Sequence, residues 1–323
     1  MTTPRKIIID TDPGVDDALA FFLAVASPQL EIVGITTTFG NLRTPEATRN
    51  ALRLLEILGR TDIPVCQGSQ LPLYLNFDTV KLGYFVYGDD GLGNTNQPAP
   101  KHQASSLHAA EFIVQQVLAN PHQITLVAIA PLTNLATALA LEPRIASLVK
   151  EVVIMGGSIN AGGNVTPAAE ANIINDPHAA DRVLTAGWPV TLVGLDATMK
   201  VTMTNDYLKA LKTDLKSLGN FIWDITRFNV KFYQDIIGIN GLCPHDSVAL
   251  TYLLAPELFT TQQGPVRVPT EGIAMGQTIL ARRKSDGQTK HAWVGQPPVN
   301  VCLDVDAEAV LDLYREKMAY FRS

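Results

Sequence analysis

Short β-branched apolar runs alternate with amphipathic stretches along most of the 323 residues, and this alternation constrains the fold more than any other feature. Residues 6–9, 32–37, 124–129, 151–155 and 190–193 read as strands. Between them 16–26, 45–58, 105–118, 132–141 and 176–186 read as helices. Strands separated by helices of about ten to fifteen residues predict right-handed βαβ crossovers and a mainly parallel sheet. Further on, residues 205 to about 237 read as helix, 246–254 as a shorter one, and 307–321 as a closing amphipathic helix. Residues 265–283 and 292–303 read as strands, whereas 83–100 is rich in Gly, Asp and Asn with little periodicity. No repeat, low-complexity tract or linker divides the chain. The expected fold is α/β, a Rossmann-like, mainly parallel sheet flanked by helices, as a single domain over residues 1–323.

Composition narrows the class. Hydrophobic residues make up 46% and charged residues 17%, which excludes disorder and collagen-like repeats. Lys and Arg number 25 against 31 Asp and Glu, a net charge of −6, which argues against a general binder of nucleic-acid backbone. No run reaches the roughly 18 apolar residues of a membrane helix. The first apolar run ends at Asp10 and is too short for a signal-peptide core. Cys66, Cys243 and Cys302 are odd in number and widely spaced, as expected for reduced thiols in a cytoplasmic protein. Cys243, two residues before His245, is either a small packed hydrophobe or a nucleophile.

The chemistry gathers where the first strand ends. Asp10-Thr-Asp12-Pro-Gly14-Val-Asp16-Asp17 places four carboxylates within eight residues, at the start of a helix. Open α/β sheets bind ligands at the carboxyl ends of their strands. Capping explains one or two acids at a helix start, not four around a Pro-Gly turn. Crowded carboxylates repel one another unless a cation offsets them, and a hard divalent ion with oxygen ligands is the natural occupant. A second polar cluster follows the strand at 151–155, with Asn164, Glu170 and Asn172 able to face a hydroxyl-rich ligand. It lacks the GxGxxG of a dinucleotide site, and an ordinary Gly/Asn loop is its alternative reading. His245-Asp246 opens an apolar helix, where an N-capping Asp beside an exposed His is the plainer reading. Gly40-Asn41 and Ala130-Pro-Leu-Thr-Asn134 also fall at strand ends. The repeated placement carries more than any one motif.

Together these residues resemble the inosine–uridine-preferring nucleoside hydrolases, the N-ribohydrolases. The resemblance rests on the Asp10–Asp17 signature. It continues through Phe39-Gly-Asn41, Ala130–Asn134, Ile154-Met-Gly-Gly157, Ala169-Glu-Ala-Asn172 and His245-Asp246. It implies Ca²⁺-dependent cleavage of ribonucleosides to free base and ribose, with the ion at the bottom of the ribose pocket. The implied metal ligands are Asp12, Asp17, the main-chain carbonyl of Ile129, and Asp246. The implied ribose contacts are Asp16, Asn41, Asn164, Glu170 and Asn172. Asp12 is the implied general base toward a metal-bound water, with Asp10 supporting it. Homodimers or homotetramers are expected by the same resemblance.

The chemistry suits the residues. N-glycosidic cleavage passes through an oxocarbenium-like sugar, which carboxylates and amide oxygens stabilise in a dry site. The leaving base departs through a ring nitrogen, so a His or Tyr is the natural donor; His245 is the first candidate and Tyr233 the second. The base pocket departs from familiar members. Residues 83–91 carry Tyr84, Phe85 and Tyr87 but no histidine, and Ala171 stands where a bulky aromatic is common. The purine-specific branch has tryptophan where this chain has His245. Two rivals remain: a haloacid dehalogenase-type phosphohydrolase with Asp10 as nucleophile and Mg²⁺ bound, and a non-catalytic nucleoside or ribose binder. The 84–87 and 228–233 segments are candidate lids over the base.

Overall fold

Ile7, Ile8 and Ile9 are all within 1% of complete burial, as a strand covered on both faces requires. The computed structural model describes residues 3–74, 76, 80–282 and 291–322. Its frame is an eight-stranded sheet of β1 (Arg5–Thr11), β2 (Leu30–Thr37), β3 (Val65–Gln67), β4 (Ile124–Ala128), β5 (Glu151–Met155), β6 (Val190–Val193), β7 (Phe259–Gly264) and β8 (Val299–Val305). The spatial order is β3-β2-β1-β4-β5-β6-β8-β7. All neighbours pair in parallel except β7, which runs antiparallel along the edge beside β8.

Successive side chains of a strand face opposite sides, and the two cores follow that period. Ile7, Ile9, Val127, Val153 and Met155 join one cluster, with helices Val15–Val25, Thr44–Ile57, Lys216–Phe232, His245–Leu254 and Ala307–Met318. Ile8, Leu126, Ala128, Val152 and Ile154 join the other, with helices Ala109–Ala119, Thr133–Leu141 and Pro177–Leu184. The expected α/β sheet is therefore present. Strand order reverses between β1 and β4, and the crevice at their carboxyl ends is where such a sheet binds ligands.

Several expected elements take another form. The 205–237 stretch is two helices, Asn205–Asp214 and Lys216–Phe232, broken where Lys216 takes a φ of +53°. A π-helical turn, Tyr233–Ile237, follows and stops at Gly238. The helix expected over 176–186 begins at Pro177 because the Asp176 side chain caps it, accepting the Ala179 N–H at 3.0 Å. The strand expected over 265–283 is only a ribbon of Val266–Arg267 against Ile279–Leu280, and its last residue, Arg283, lies outside the described residues. Strand β8 begins at Val299 rather than 292, after Pro297-Pro298, which cannot donate to a ladder. Within 83–100 a short helix forms at Tyr84–Tyr87.

Candidate active site

The first strand delivers its carboxylates in sequence around the turn at Pro13-Gly14. Asp10, still on β1, is held through one oxygen: its Oδ1 accepts from the Thr36 hydroxyl at 2.6 Å and from Asn134 Nδ2 at 2.8 Å, while its Oδ2 is buried with no partner among the described residues. Asp12 lies at the turn and accepts the Asn41 backbone N–H at 2.6 Å and Asn41 Nδ2 at 3.3 Å. Asp17, in the first turn of the helix, accepts from the Thr11 hydroxyl at 2.5 Å, the Gly14 N–H at 2.9 Å and Asn41 Nδ2 at 3.1 Å. The Asn41 amide thus bridges Asp12 and Asp17. Helix Val15–Val25 packs on helix His245–Leu254, which brings Asp246 to the same place from the far end of the chain.

Asp16, Asp17 and Asp246 each present a carboxylate oxygen within 4.8 Å of the other two, and all three are buried. Asp12, an implied ligand, faces Asn41 beside this group rather than within it. Asp16 receives a bond from the Tyr87 side chain, while its Oδ1 is buried with no partner among the described residues. Burial drives these acids up: Asp16 to about 7, reinforced by the charge of Asp17. It lifts Asp12 and Asp246 well above the carboxylate range, aided by the neighbouring aspartates. Buried carboxylates with an orphaned oxygen form a hard donor set that a divalent cation fits.

The ribose candidates line the crevice from β4 and β5. The Asn172 amide donates to the Ile129 carbonyl at 3.3 Å and to the Met155 carbonyl at 3.2 Å, tying the two strand ends together. Glu170 caps helix Ala171–Asn175 and accepts N–H bonds from Asn172 at 2.9 Å, Gly157 at 2.9 Å and Ile173 at 3.2 Å. Burial raises its carboxyl to about 6 against the pull of those N–H groups. Asn164 Oδ1 accepts from the Ala171 N–H at 3.0 Å, leaving its amide nitrogen to the crevice. Asp16, Asn41, Ile129, Asn164, Glu170, Asn172, His245 and Asp246 all line one deep cleft.

Above this cleft opens a cavity of about 440 Å³, walled by Phe85, Tyr87, Phe232, Tyr233 and Ile237, with His245 and Asn172 toward its floor. Phe85 and Phe232 meet edge to face with centroids 5.7 Å apart, so the two candidate lids touch. His245 is not the exposed neighbour of a capping Asp: it is 6% exposed, its Nε2 2.9 Å from Tyr233 Oη. Burial lowers the His245 ring to about 4, so it is neutral at pH 7. Burial lifts the Cys243 thiol to about 11, which disfavours a thiolate nucleophile. Tyr87 reaches the carboxylates themselves, a role that its place in a Gly-rich run did not reveal; the absence of a histidine there was the one available signal. Thr198, bonded to His245 Nδ1 at 2.7 Å, carried no signal at all.

Asp-rich turn, polar strand ends and aromatic roof meet in one site whose buried acids fit a divalent cation. A profile of the inosine-uridine preferring nucleoside hydrolase family matches residues 7–312. The chain belongs to this family and is a nucleoside N-ribohydrolase. It is 42% identical over 314 residues to the probable uridine nucleosidase 2 of Arabidopsis thaliana, covering 97% of each chain. The structure of a plant nucleoside hydrolase, PpNRh1, superposes with a TM-score of 0.95 at 39% identity, covering 98% of this chain and 99% of that one. A purine-preferring ribonucleoside hydrolase from Gardnerella vaginalis superposes at 0.90 with 31% identity and the same coverage. Membership excludes the phosphohydrolase reading.

Proposed function

We propose that the chain is a Ca²⁺-dependent ribonucleoside hydrolase that takes uridine among its substrates. The observation that carries this reading is the buried group of Asp16, Asp17 and Asp246, with its unpartnered Asp16 oxygen, on the floor of an aromatic cavity. The preference for uridine is supported by the 42% identical relative described as a probable uridine nucleosidase. His245, where the purine branch has tryptophan, agrees with it.

Asp17, Asp246, Asp12 and the Ile129 carbonyl would hold the ion. Bound there, a hard divalent cation supplies orientation of vicinal hydroxyls and a more acidic water. Asp12 takes the proton of the attacking water, and the Asn41 N–H steadies the carboxylate as it does so. Asp16, with one oxygen free, accepts from a ribose hydroxyl, and Asn164 and Asn172 bind along the same edge. The closely set carboxylates stabilise positive charge growing at C1′ and the ring oxygen. The base stacks among Phe85, Tyr87, Phe232 and Tyr233, which exclude water. A proton reaches its departing nitrogen from the His245–Tyr233 pair.

The test is incubation of the full-length protein with uridine, following uracil and reducing sugar together. Both are expected to appear, to stop when metal is chelated, and to return with Ca²⁺. The Asp12→Ala variant is expected to lose about 10²- to 10⁴-fold in kcat, the scale of a general base. Phosphate release from ribose 5-phosphate without reducing sugar from uridine, or full turnover by Asp12→Ala, overturns the reading.

A further inference from the structure

The ring of His245 has two nitrogens, and which one carries the proton decides what it can offer the leaving base. Nε2 faces Tyr233 Oη at 2.9 Å, and Nδ1 faces the hydroxyl of Thr198 at 2.7 Å. Thr198 is fully buried, and His245 and Tyr233 are 6% and 5% exposed, so bulk water does not complete this chain of contacts.

Several threonines in the helices of this protein turn back on their own backbone. The hydroxyls of Thr48, Thr137, Thr213 and Thr251 each donate to the carbonyl four residues earlier. Thr198, at the end of helix Leu195–Thr198, does not; among the described residues its hydroxyl meets only His245 Nδ1. A hydroxyl has one proton to donate. If Nδ1 carried hydrogen, the Thr198 O–H would be buried with no acceptor among the described residues, an arrangement that folded proteins avoid. The hydroxyl therefore donates to a bare Nδ1, and the ring proton sits on Nε2, toward Tyr233 and the cavity.

We propose that Thr198 is a positioning residue of the hydrolase, which holds His245 as the Nε2–H tautomer and aims that N–H at Tyr233 Oη. Tyr233 is the first residue of the π-helical turn and lines the cavity wall, its hydroxyl also bonded to Cys243. When the Tyr233 hydroxyl gives its proton to the departing nitrogen of the base, the phenolate oxygen left behind is already bonded by the Nε2–H. The charge is neutralised when the phenolate takes a proton back from solvent after base release. Remove the Thr198 hydroxyl, and the ring is free to move its proton to Nδ1. Nε2 then accepts from Tyr233 instead of donating to it, and phenolate formation loses its support. The kinetic half of this inference rests on the N-ribohydrolase reading; the tautomer half does not.

Both halves are tested on the full-length, metal-replete protein labelled with ¹⁵N-histidine. Two-bond ¹H–¹⁵N correlation distinguishes the tautomers, and His245→Gln identifies the His245 signals among the six histidines. Wild type is expected to show Nε2–H at His245. Thr198→Val, close in shape but without the hydroxyl, is expected to populate the Nδ1–H form, and Thr198→Ser to restore Nε2–H. With uridine, Thr198→Val is expected to lose about 10- to 100-fold in kcat, the scale of outer groups that orient a site, with KM within about threefold of wild type. Thr198→Ser is expected to keep most of kcat. An Nδ1–H tautomer in wild type overturns the proposal even if no variant folds. A Thr198→Val protein with unchanged tautomer and kcat overturns it too, as does a loss that Ser does not rescue. A wild-type protein inert toward uridine yet showing Nε2–H condemns the substrate reading and leaves the placement of the proton standing.

Discussion

Asp12 keeps its place because Gly40 has no side chain. A Cβ at Gly40 would fall 1.9 Å from Asp12 Oδ2, and the residue holds a φ of +153°, which disfavours any other residue. Gly40→Ala is expected to displace the Asp12 carboxylate and lower uridine turnover at least as far as Asp12→Asn does; kcat near wild type counts against Asp12 as the base. Tyr87 acts on the other side of the cluster. Its side chain bonds Asp16 and its ring stands over Gly14, where a Cβ would come within 3.2 Å of it. A hydrogen bond to a charged group contributes about 1.5–3 kcal/mol, so Tyr87→Phe is expected to lower kcat/KM for uridine by about 10- to 100-fold. Equal kcat/KM values in the two proteins remove Tyr87 from the site. The aspartates were legible in the sequence because one turn of chain brings them together. Tyr87 and Thr198 were not, because each finds its partner only through packing, across 47 residues in the case of Thr198 and His245.

Elements were legible in proportion to how much of their surface is apolar. The central strands are apolar on both faces, so their runs stand out in sequence, and β6 spans the expected 190–193. Strand β7, Phe259–Gly264, is Phe-Thr-Thr-Gln-Gln-Gly, an edge strand half turned to solvent, and only its ladder with β8 defines it. The ribbon of Val266–Arg267 and Ile279–Leu280, just after β7, is held by contacts it makes elsewhere. Arg267 pairs with Asp181 at 2.7 and 2.8 Å, and Thr278 clasps Ser158, accepting its N–H at 2.8 Å and donating to its carbonyl at 2.7 Å. Ser158 follows Gly157, whose N–H holds Glu170. This ribbon therefore buttresses the loop that carries the proposed ribose contacts. Thr278→Val leaves two buried backbone groups of Ser158 without that partner, and about 1–3 kcal/mol of stability is expected to go with it. Urea unfolding followed by fluorescence reads the change, and an unaltered midpoint at equal m-value denies the clasp its structural role.

At the scale of the whole molecule, the acids that make the site are also what the fold must tolerate. Burial holds Asp10 and Asp16 at about 7, against 3.8 as the reference, with Asn134 and Thr36 only partly offsetting the effect at Asp10. In the metal-free protein the folded state thus keeps protons that the unfolded chain releases near pH 4. Stability from these groups is fully present below that pH and is lost as pH rises through about 7, by about 1.4 kcal/mol per proton per pH unit. A divalent cation held by Asp12, Asp17 and Asp246 beside Asp16 would reverse the sign, because it favours the ionised carboxylates. Cation at 100 times its Kd adds about 2.7 kcal/mol by mass action. Metal-stripped protein is therefore expected to melt at progressively lower temperature between pH 5 and pH 8. Protein with saturating Ca²⁺ is expected to hold its Tm or gain, so that the gap between the two widens with pH. Calorimetry at four pH values decides it, since a constant gap leaves the carboxylates uncoupled from the ion and no gap at all leaves the cluster without one. The net charge of −6 then has a local meaning: part of it lies in buried acids that a divalent cation fits.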